Sequence, residues 1–427
     1  MYTEVAPDLA RGGGHRASSR GRGDTPEVAL PLRSSLLIAW AAFCTSLAQL
    51  KTLGRLPTLT FLKEELGLSQ DEVALFFLCS GVAWYLKPVV GVLTDGVPLF
   101  GSRRRSYLVL GAALAAVGWV AMGIVGQLHG PLPLLLVCGV LMNLALVFPS
   151  TVLGGWMVEV GQRHDAAGRV GAVRQAAQGV AVLVTPLAGG LLAGVGYGWT
   201  AGIAAVTLLS LAIAGTTAQE SPAQPASPGR ASRQVRALLT NGPALAAAGM
   251  MLLVHLSPGL HTAMVFRQRD VYGFSTATIG ALGSLEGAAG LGAALVYAAW
   301  CRRGTLAGRI AFGLAASGVV TLTLLVYSAT TAPAIHVALA FFGVLAELAL
   351  MELAVASTPT GSEALGFALM MSLRNAGNEV SDVFGSWLME RHDLSFATMV
   401  WANAATTLLG LGALVALPRV GKTAATA

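Results

Sequence analysis

Apolar runs of roughly 20 residues, the length a helix needs to cross a bilayer, repeat along nearly the whole chain with short polar breaks between them. Approximate spans are 35–62, 70–95, 106–127, 132–160, 168–195 and 197–218, then 242–266, 275–300, 306–328, 332–357, 362–389 and 394–417. Such runs leave few folds open. Inside a bilayer no water meets the backbone amides, so each run must close its hydrogen bonds on itself as a helix. Composition agrees. Of 427 residues, 11% are charged, against about 25% in soluble domains. The 52 glycines and few aromatics suit closely packed membrane helices. The expected fold is all-α integral membrane: twelve transmembrane helices in two six-helix pseudo-symmetric bundles, a duplication found in transporters.

The domain reading follows. Residues 1–33 hold Arg11, Arg16, Arg20, Arg22 and Arg33 among Gly and Ser, with no apolar run. They are read as a disordered cytoplasmic tail. A cleaved signal peptide does not fit, because the first apolar run comes late and is long. Glu4, Asp8, Asp24 and Glu27 argue against a transit peptide. Residues 34–218 form the N-terminal bundle, 219–241 a cytoplasmic linker with Pro222, Pro225, Pro228, Arg230, Arg233 and Arg236, 242–418 the C-terminal bundle, and 419–427 a short cytoplasmic tail. With both termini inside, eighteen of the 27 Lys and Arg residues fall on the inner side. Only Lys63, Arg267, Arg269 and Arg391 fall outside, and that asymmetry sets the orientation. The expected setting is a bacterial-type plasma (inner) membrane, with the chain acting as a monomer.

The net charge of +6 does not mark a nucleic-acid binder. The basic residues sit in short loops between spans, not on one face or tail. Cys44, Cys79, Cys138 and Cys301 lie singly in apolar segments and read as small hydrophobes. His129, His255, His261 and His336 lie singly at or near span ends and read as interfacial residues. The glycine string from Gly189 to Gly194 has no preceding strand and no Lys-Ser/Thr, so it reads as helix packing. No nucleophile–base set or metal set emerges, so no cofactor, metal or enzymatic activity is expected.

Function shows in the residues that do not belong in lipid. A charge at bilayer depth costs at least ~2.5 kcal/mol on insertion scales, so it faces a cavity or a partner. Lys51, Arg55, Lys87, Arg174, Glu286, Glu347, Glu352, Arg374, Glu379 and Asp382 all fall within or at the edge of apolar runs. Lys51 and Arg55 are four apart, on one face of the first helix. Lys87 is followed by Pro88, which loosens the backbone there. Arg374, Asn378 and Asp382 form one polar stripe, with Asn375 and Glu379 beside it. Glu347 and Glu352 are five apart and point differently, so one of them at most faces the cavity. The set Lys51, Arg55, Lys87, Arg174, Glu286, Glu347, Arg374, Asn378 and Asp382 is the candidate substrate site. Fixed cations suit an organic anion, Arg binding carboxylates with paired hydrogen bonds. Glu286, in Gly283-Ser-Leu-Glu286-Gly287, is either a proton carrier or a paired residue in a glycine packing motif.

The stretch from Trp84 to Arg105, WYLKPVVGVLTDGVPLFGSRRR, carries Gly91-x-x-x-Asp95, then Gly101 and a basic cluster. It resembles the loop between the second and third helices of the major facilitator superfamily. Lys87-Pro88 through Arg105 is more narrowly similar to the folate-biopterin transporter family. So are Leu62 to Ser69, the Pro258, Ala263-Met264 and Gly273-Phe274-Ser275 positions, and Met371-Ser-Leu-Arg-Asn375. The resemblance implies a rocking-bundle carrier of folates or pterins with proton symport. It departs in the fourth helix, where Ser150 and Gly154 stand in place of two aspartates and only Glu159 is kept. Gly91, Asp95, Gly101, Arg103, Arg104, Arg105, Glu159 and Arg169 are the expected inner gate. The rival readings are an exporter of other amphipathic compounds and a non-transporting receptor.

Overall fold

The computed structural model describes residues 32–102, 104–163, 167–219, 229–300, 304–358 and 363–414. Among these the chain is all-helical: α1 (Leu32–Leu47), α2 (Arg55–Thr60) with a π-helical turn (Phe61–Glu65), α3 (Gln70–Ser80), α4 (Val82–Tyr85), α5 (Lys87–Gly96), α6 (Arg105–Gln127), α7 (Leu132–Arg163), α8 (Ala167–Ala193), α9 (Tyr197–Gly215), α10 (Arg230–Leu239), α11 (Gly242–His255), α12 (His261–Asp270), α13 (Thr276–Trp300), α14 (Leu306–Thr321) with a 3-10 turn (Leu322–Val326), α15 (Ala332–Ser357), α16 (Glu363–Arg391) and α17 (Phe396–Ala413).

Among the described residues, eight segments are long and apolar enough to cross a membrane: α6, α7, α8, α9, α13, α14 with its 3-10 turn, α15 and α17. Their outer faces are apolar. Ile213 on α9 and Leu409 on α17 are each 72% exposed in the absence of a bilayer. That surface is stable only against lipid. One end of the molecule carries the α5–α6 turn with Arg104 and Arg105 and the basic helix α10; it is called the basic end below.

Three expected spans are not continuous helices. The run 35–62 is broken between α1 and α2, 70–95 falls into α3, α4 and α5, and 242–266 breaks between α11 and α12. The reason is local. Gly54 and Pro57 mark the first break, Gly81 and Pro88 flank those in the second run, and Ser257-Pro258-Gly259 makes the third. The carbonyls freed at these breaks are met from elsewhere, as a membrane interior demands. Thr52 Oγ1 lies 2.6 Å from the Ser46 carbonyl and 2.8 Å from that of Leu47. Trp119 Nε1 donates to the Ala48 carbonyl at 2.9 Å. At the α11–α12 break, Asn403 Nδ2 donates to the Pro258 carbonyl at 2.8 Å. The expected linker 219–241 also contains structure: α10 is a basic amphipathic helix with Leu238 buried and Val235 and Leu239 exposed. Helix α1 begins at Leu32, inside the expected tail.

Two clusters of buried residues belong to the first half of the chain and one to the second. A fourth joins Leu56 of α2 to Met264, Phe274 and Ile279. The halves meet along two seams: α3 to α5 against α16, and α8 against α13. The second seam is set by glycine. A Cβ at Gly190 would lie 2.9 Å from Gly280 Cα, and one at Gly283 would lie 2.7 Å from Pro186 Cβ. Both are closer than side chains tolerate, so the two backbones run nearly in contact.

Candidate functional site

The α1–α2 and α11–α12 breaks both face α16. Lys51, in the turn before α2, pairs with Glu379 at 2.7 Å. Arg55, the first residue of α2, lies 3.7 Å from Asp382. Lys51 is therefore in a turn rather than on the helical face expected for it, yet both cations reach the α16 stripes. Asp382 is 3% exposed. It accepts from Thr262 N at 3.0 Å and Thr262 Oγ1 at 2.6 Å, so it caps the N-terminus of α12. Gly259 donates its N–H to the Ser381 carbonyl at 2.9 Å, and a Cβ there would lie 2.6 Å from Asp382 Cα. Hence Asp382 is a lock that ties the broken helix to α16 and holds Arg55. Asn378, one turn away on the same stripe, is half-buried.

Arg374 forms an ion pair with Glu347 and donates to Asn375 Oδ1 at 3.2 Å. The other Glu347 oxygen lies 2.9 Å from His255 Nε2, and His255 Nδ1 lies 2.6 Å from the Met251 carbonyl. Glu352 points elsewhere, to Arg309 and to the Tyr297 hydroxyl at 2.5 Å. The five-residue spacing separated the two glutamates as expected.

Lys87 and Arg174 differ from these. Lys87 Nζ donates to Ser150 Oγ at 3.1 Å and lies 5.5 Å from the Trp84 ring centroid. Arg174, on α8, is within electrostatic reach of Lys87, and its Nε is buried without a hydrogen-bond partner. Among the described residues no carboxylate pairs with either. The charges at depth therefore sort into four matched pairs, Arg309–Glu352 being the fourth, with Glu286 on His336 and two cations, Lys87 and Arg174, toward the basic end without an acid partner among the described residues.

Glu286 lies 2.5 Å from His336 Nδ1, and its flanking Gly283 and Gly287 pack on α8. Two of the four histidines expected at the interface, His255 and His336, are instead buried partners of glutamates. Burial by neighbouring helices, which linear position does not reveal, is what moves them from the interface. The signal available was the pairing of a buried imidazole with a lone acid at depth.

For the expected inner gate, Arg103 and the side chains of Asp95, Glu159 and Arg169 lie outside the described residues. Gly91 packs 3.7 Å from Thr151 on α7, measured from an added Cβ, and Gly101 turns with φ +74. Arg104 lays its guanidinium against Gly155 of α7, where a Cβ would lie 2.6 Å from its Nη atoms. Arg105 opens α6 beside it. At the opposite end, three ion pairs not foreseen from the sequence join the halves. They are Lys63–Asp270 at 2.6 Å, Glu64–Arg269, and Asp71–Arg391 at 2.9 Å.

A family model described as the BT1 family matches residues 49–418. The chain belongs to the BT1 family. A folate-biopterin transporter from Synechocystis sp. is 27% identical over 399 residues, covering 86% of this chain and 78% of that relative. A probable chloroplastic folate-biopterin transporter 8 from Arabidopsis thaliana is 31% identical over 127 residues, 30% of this chain and 23% of that one. Among solved structures, a D-xylose-proton symporter superposes with TM-score 0.67 at 15% identity, covering 92% of this chain and 98% of that chain. A peptide transporter POT in complex with sulfate gives 0.67 at 13% identity, covering 90% and 93%. Family and relatives place this BT1 member among multi-pass membrane transporters, and it shares its fold with the solved symporter and peptide-transporter structures.

Proposed function

We propose that this chain is a secondary carrier of a small organic anion, a folate or a pterin, coupled to protons. The observation that carries the anionic preference is the pair Lys87 and Arg174, two cations with no described acid partner beside the neutral Ser150. A carboxylate of the solute would complete their charge balance. The name of the Synechocystis relative supports the folate or pterin class.

In this reading the chain crosses the membrane twelve times. The eight long spans are joined by the broken segments α1–α2, α3–α5 and α11–α12 and by the polar α16. Residues 34–218 and 242–418 form two six-helix bundles, with the basic end and both termini cytoplasmic in a bacterial-type plasma membrane. The protein works as a monomer. The solute sits at mid-depth among Lys51, Arg55, Lys87, Arg174, Glu286, Glu347, Arg374, Asn378 and Asp382. Broken helices at matching places in two halves are where such sites lie. The bundles rock about the α8–α13 and α3–α16 seams, opening one end at a time. Gly91, Asp95, Gly101, Arg103, Arg104, Arg105, Glu159 and Arg169 close the basic end when the opposite end opens.

Uptake of labelled folate, pterin and other organic anions into reconstituted vesicles tests this, with and without an imposed pH gradient. Saturable uptake of folate or pterin that rises with the gradient is expected. Absence of flux for every anion would remove the carrier reading. Unchanged transport by Asp95→Asn at normal surface expression would remove the gate.

A further inference from the structure

We infer that Glu286 is the group that takes up the coupling proton, and that His336 stays neutral and holds it in place. The inference rests on the reading of the chain as a proton-coupled carrier. Both ring nitrogens of His336 are engaged. Nδ1 lies 2.5 Å from Glu286 Oε1. Nε2 lies 3.0 Å from Gln268 Nε2 and 2.9 Å from the Tyr327 hydroxyl. The same amide nitrogen donates to that hydroxyl at 2.8 Å. An amide nitrogen only donates, so the ring Nε2 accepts from it and the single ring proton sits on Nδ1. That proton points at Glu286. A second ring proton, on Nε2, would crowd the Gln268 amide and have only the Tyr327 hydroxyl oxygen to accept it.

Glu286 is the open member of the pair. Its side chain is 43% exposed and that of His336 is 10%. An arriving proton adds to the second carboxylate oxygen, breaking no bond and leaving the contact to His336 Nδ1–H in place.

The surrounding charges single Glu286 out. Helix α13 packs on α8, α15, α12 and α2. From α15 comes His336, from α12 Gln268, and from the turn before α15 Tyr327. Among the described residues, no other charged group of these elements is paired with Glu286. Arg55 of α2 is on Asp382, Arg269 of α12 on Glu64, Asp270 on Lys63, and Arg267 lies over the Phe396 ring. On α15, Glu347 is on Arg374 and Glu352 on Arg309. On α8, Arg174 faces Lys87. Neutralising Glu379, Asp382 or Glu347 would strand Lys51, Arg55 or Arg374 without its anion. Neutralising Glu286 strands no Lys or Arg among the described residues. Of these four acids, it alone can gain and lose a proton without stranding a Lys or Arg.

The test uses the full chain in lipid vesicles. Infrared difference spectra between neutral and acid pH read the carboxyl C=O band. Folate accumulation under an imposed pH gradient is compared with folate exchange at equal pH. Glu286→Gln still accepts from His336 Nδ1–H, so a merely structural link survives it. The expected result is loss of the pH-dependent carboxyl band and a fall in the ratio of gradient-driven accumulation to exchange. His336→Gln, whose amide still donates to Glu286, is expected to keep the band. A band that persists in Glu286→Gln, an unchanged ratio, or an imidazolium signal from His336 that grows as pH falls would overturn the inference. If the wild-type chain moves no folate in either mode, the function reading falls, and the infrared comparison decides the proton site by itself.

Discussion

Lys51 and Glu379 meet at 2.7 Å across the two halves of the chain, 328 positions apart in sequence, with both side chains mostly buried. Removing one partner leaves a charge stranded at membrane depth, which costs roughly 3–5 kcal/mol in buried pairs. Lys51→Ala and Glu379→Ala are each expected to lower thermal stability and folate uptake. The exchange Lys51→Glu with Glu379→Lys is expected to recover part of both. Thermal unfolding in detergent, followed by vesicle uptake, measures the two. Additive losses in the double exchange would mean that the pair is not coupled.

Lys87 has the neutral hydroxyl of Ser150 as its hydrogen-bond partner at 3.1 Å. Ser150→Asp would put a carboxylate within reach of Lys87 and remove much of the local positive excess. Affinity for anionic solutes is expected to fall about tenfold or more, since a charge-assisted contact is worth ~1.5–3 kcal/mol. Ser150→Ala, which adds no charge, is expected to change affinity much less. Competition of unlabelled folate against labelled folate measures both. Equal effects of Ala and Asp would show that the charge at this position is immaterial.

How much of this was legible in the sequence differs from residue to residue. The charged residues at depth stood out because type alone betrays them: Lys87 or Glu286 in an apolar run needs an explanation whatever it touches. Their partners did not. Lys51 and Glu379, or Glu286 and His336, are brought together by packing of helices remote in sequence, and spacing along one helix holds no information about that. The helix breaks were hidden for another reason. Ser257-Pro258-Gly259 interrupts hydrogen bonding without interrupting apolarity, and hydropathy registers only the second. The Lys63–Asp270 link is half visible, since the charge count places Lys63 on the outer side while nothing in the sequence ties Asp270 to it.

The α8–α13 seam predicts a steric outcome. A side chain at Gly280 would strike the Pro186 carbonyl and Gly190 backbone, which have no rotamer to yield. Gly280→Val is expected to destabilise by roughly 1–3 kcal/mol, the usual cost of overpacking. In the proposed rocking of the halves about this seam, it also slows turnover more than it weakens binding. Gly202→Ala on α9 is the control, having nothing within 4 Å of an added Cβ. Melting temperature together with KM and maximal rate separates the two effects. A maximal rate untouched by Gly280→Val would show that the seam is static.

The three ion pairs at the end away from the arginine cluster predict a shift of conformational balance. Lys63–Asp270, Glu64–Arg269 and Asp71–Arg391 each tie the first half to the second. They are partly or wholly exposed, so each contributes little by itself and is weakened by salt. Together they would bias opening by on the order of tenfold, enough to change which end is open at rest. Lys63→Glu sets like charges against Asp270 and is expected to favour the state open at that end. Adding Asp270→Lys should restore the balance. The measurement is the distance between spin labels placed on the α2–α3 and α12–α13 loops, read in lipid with and without folate. A distribution indifferent to Lys63→Glu would mean that packing of Leu56 against Met264 and Phe274, rather than charge, keeps that end shut.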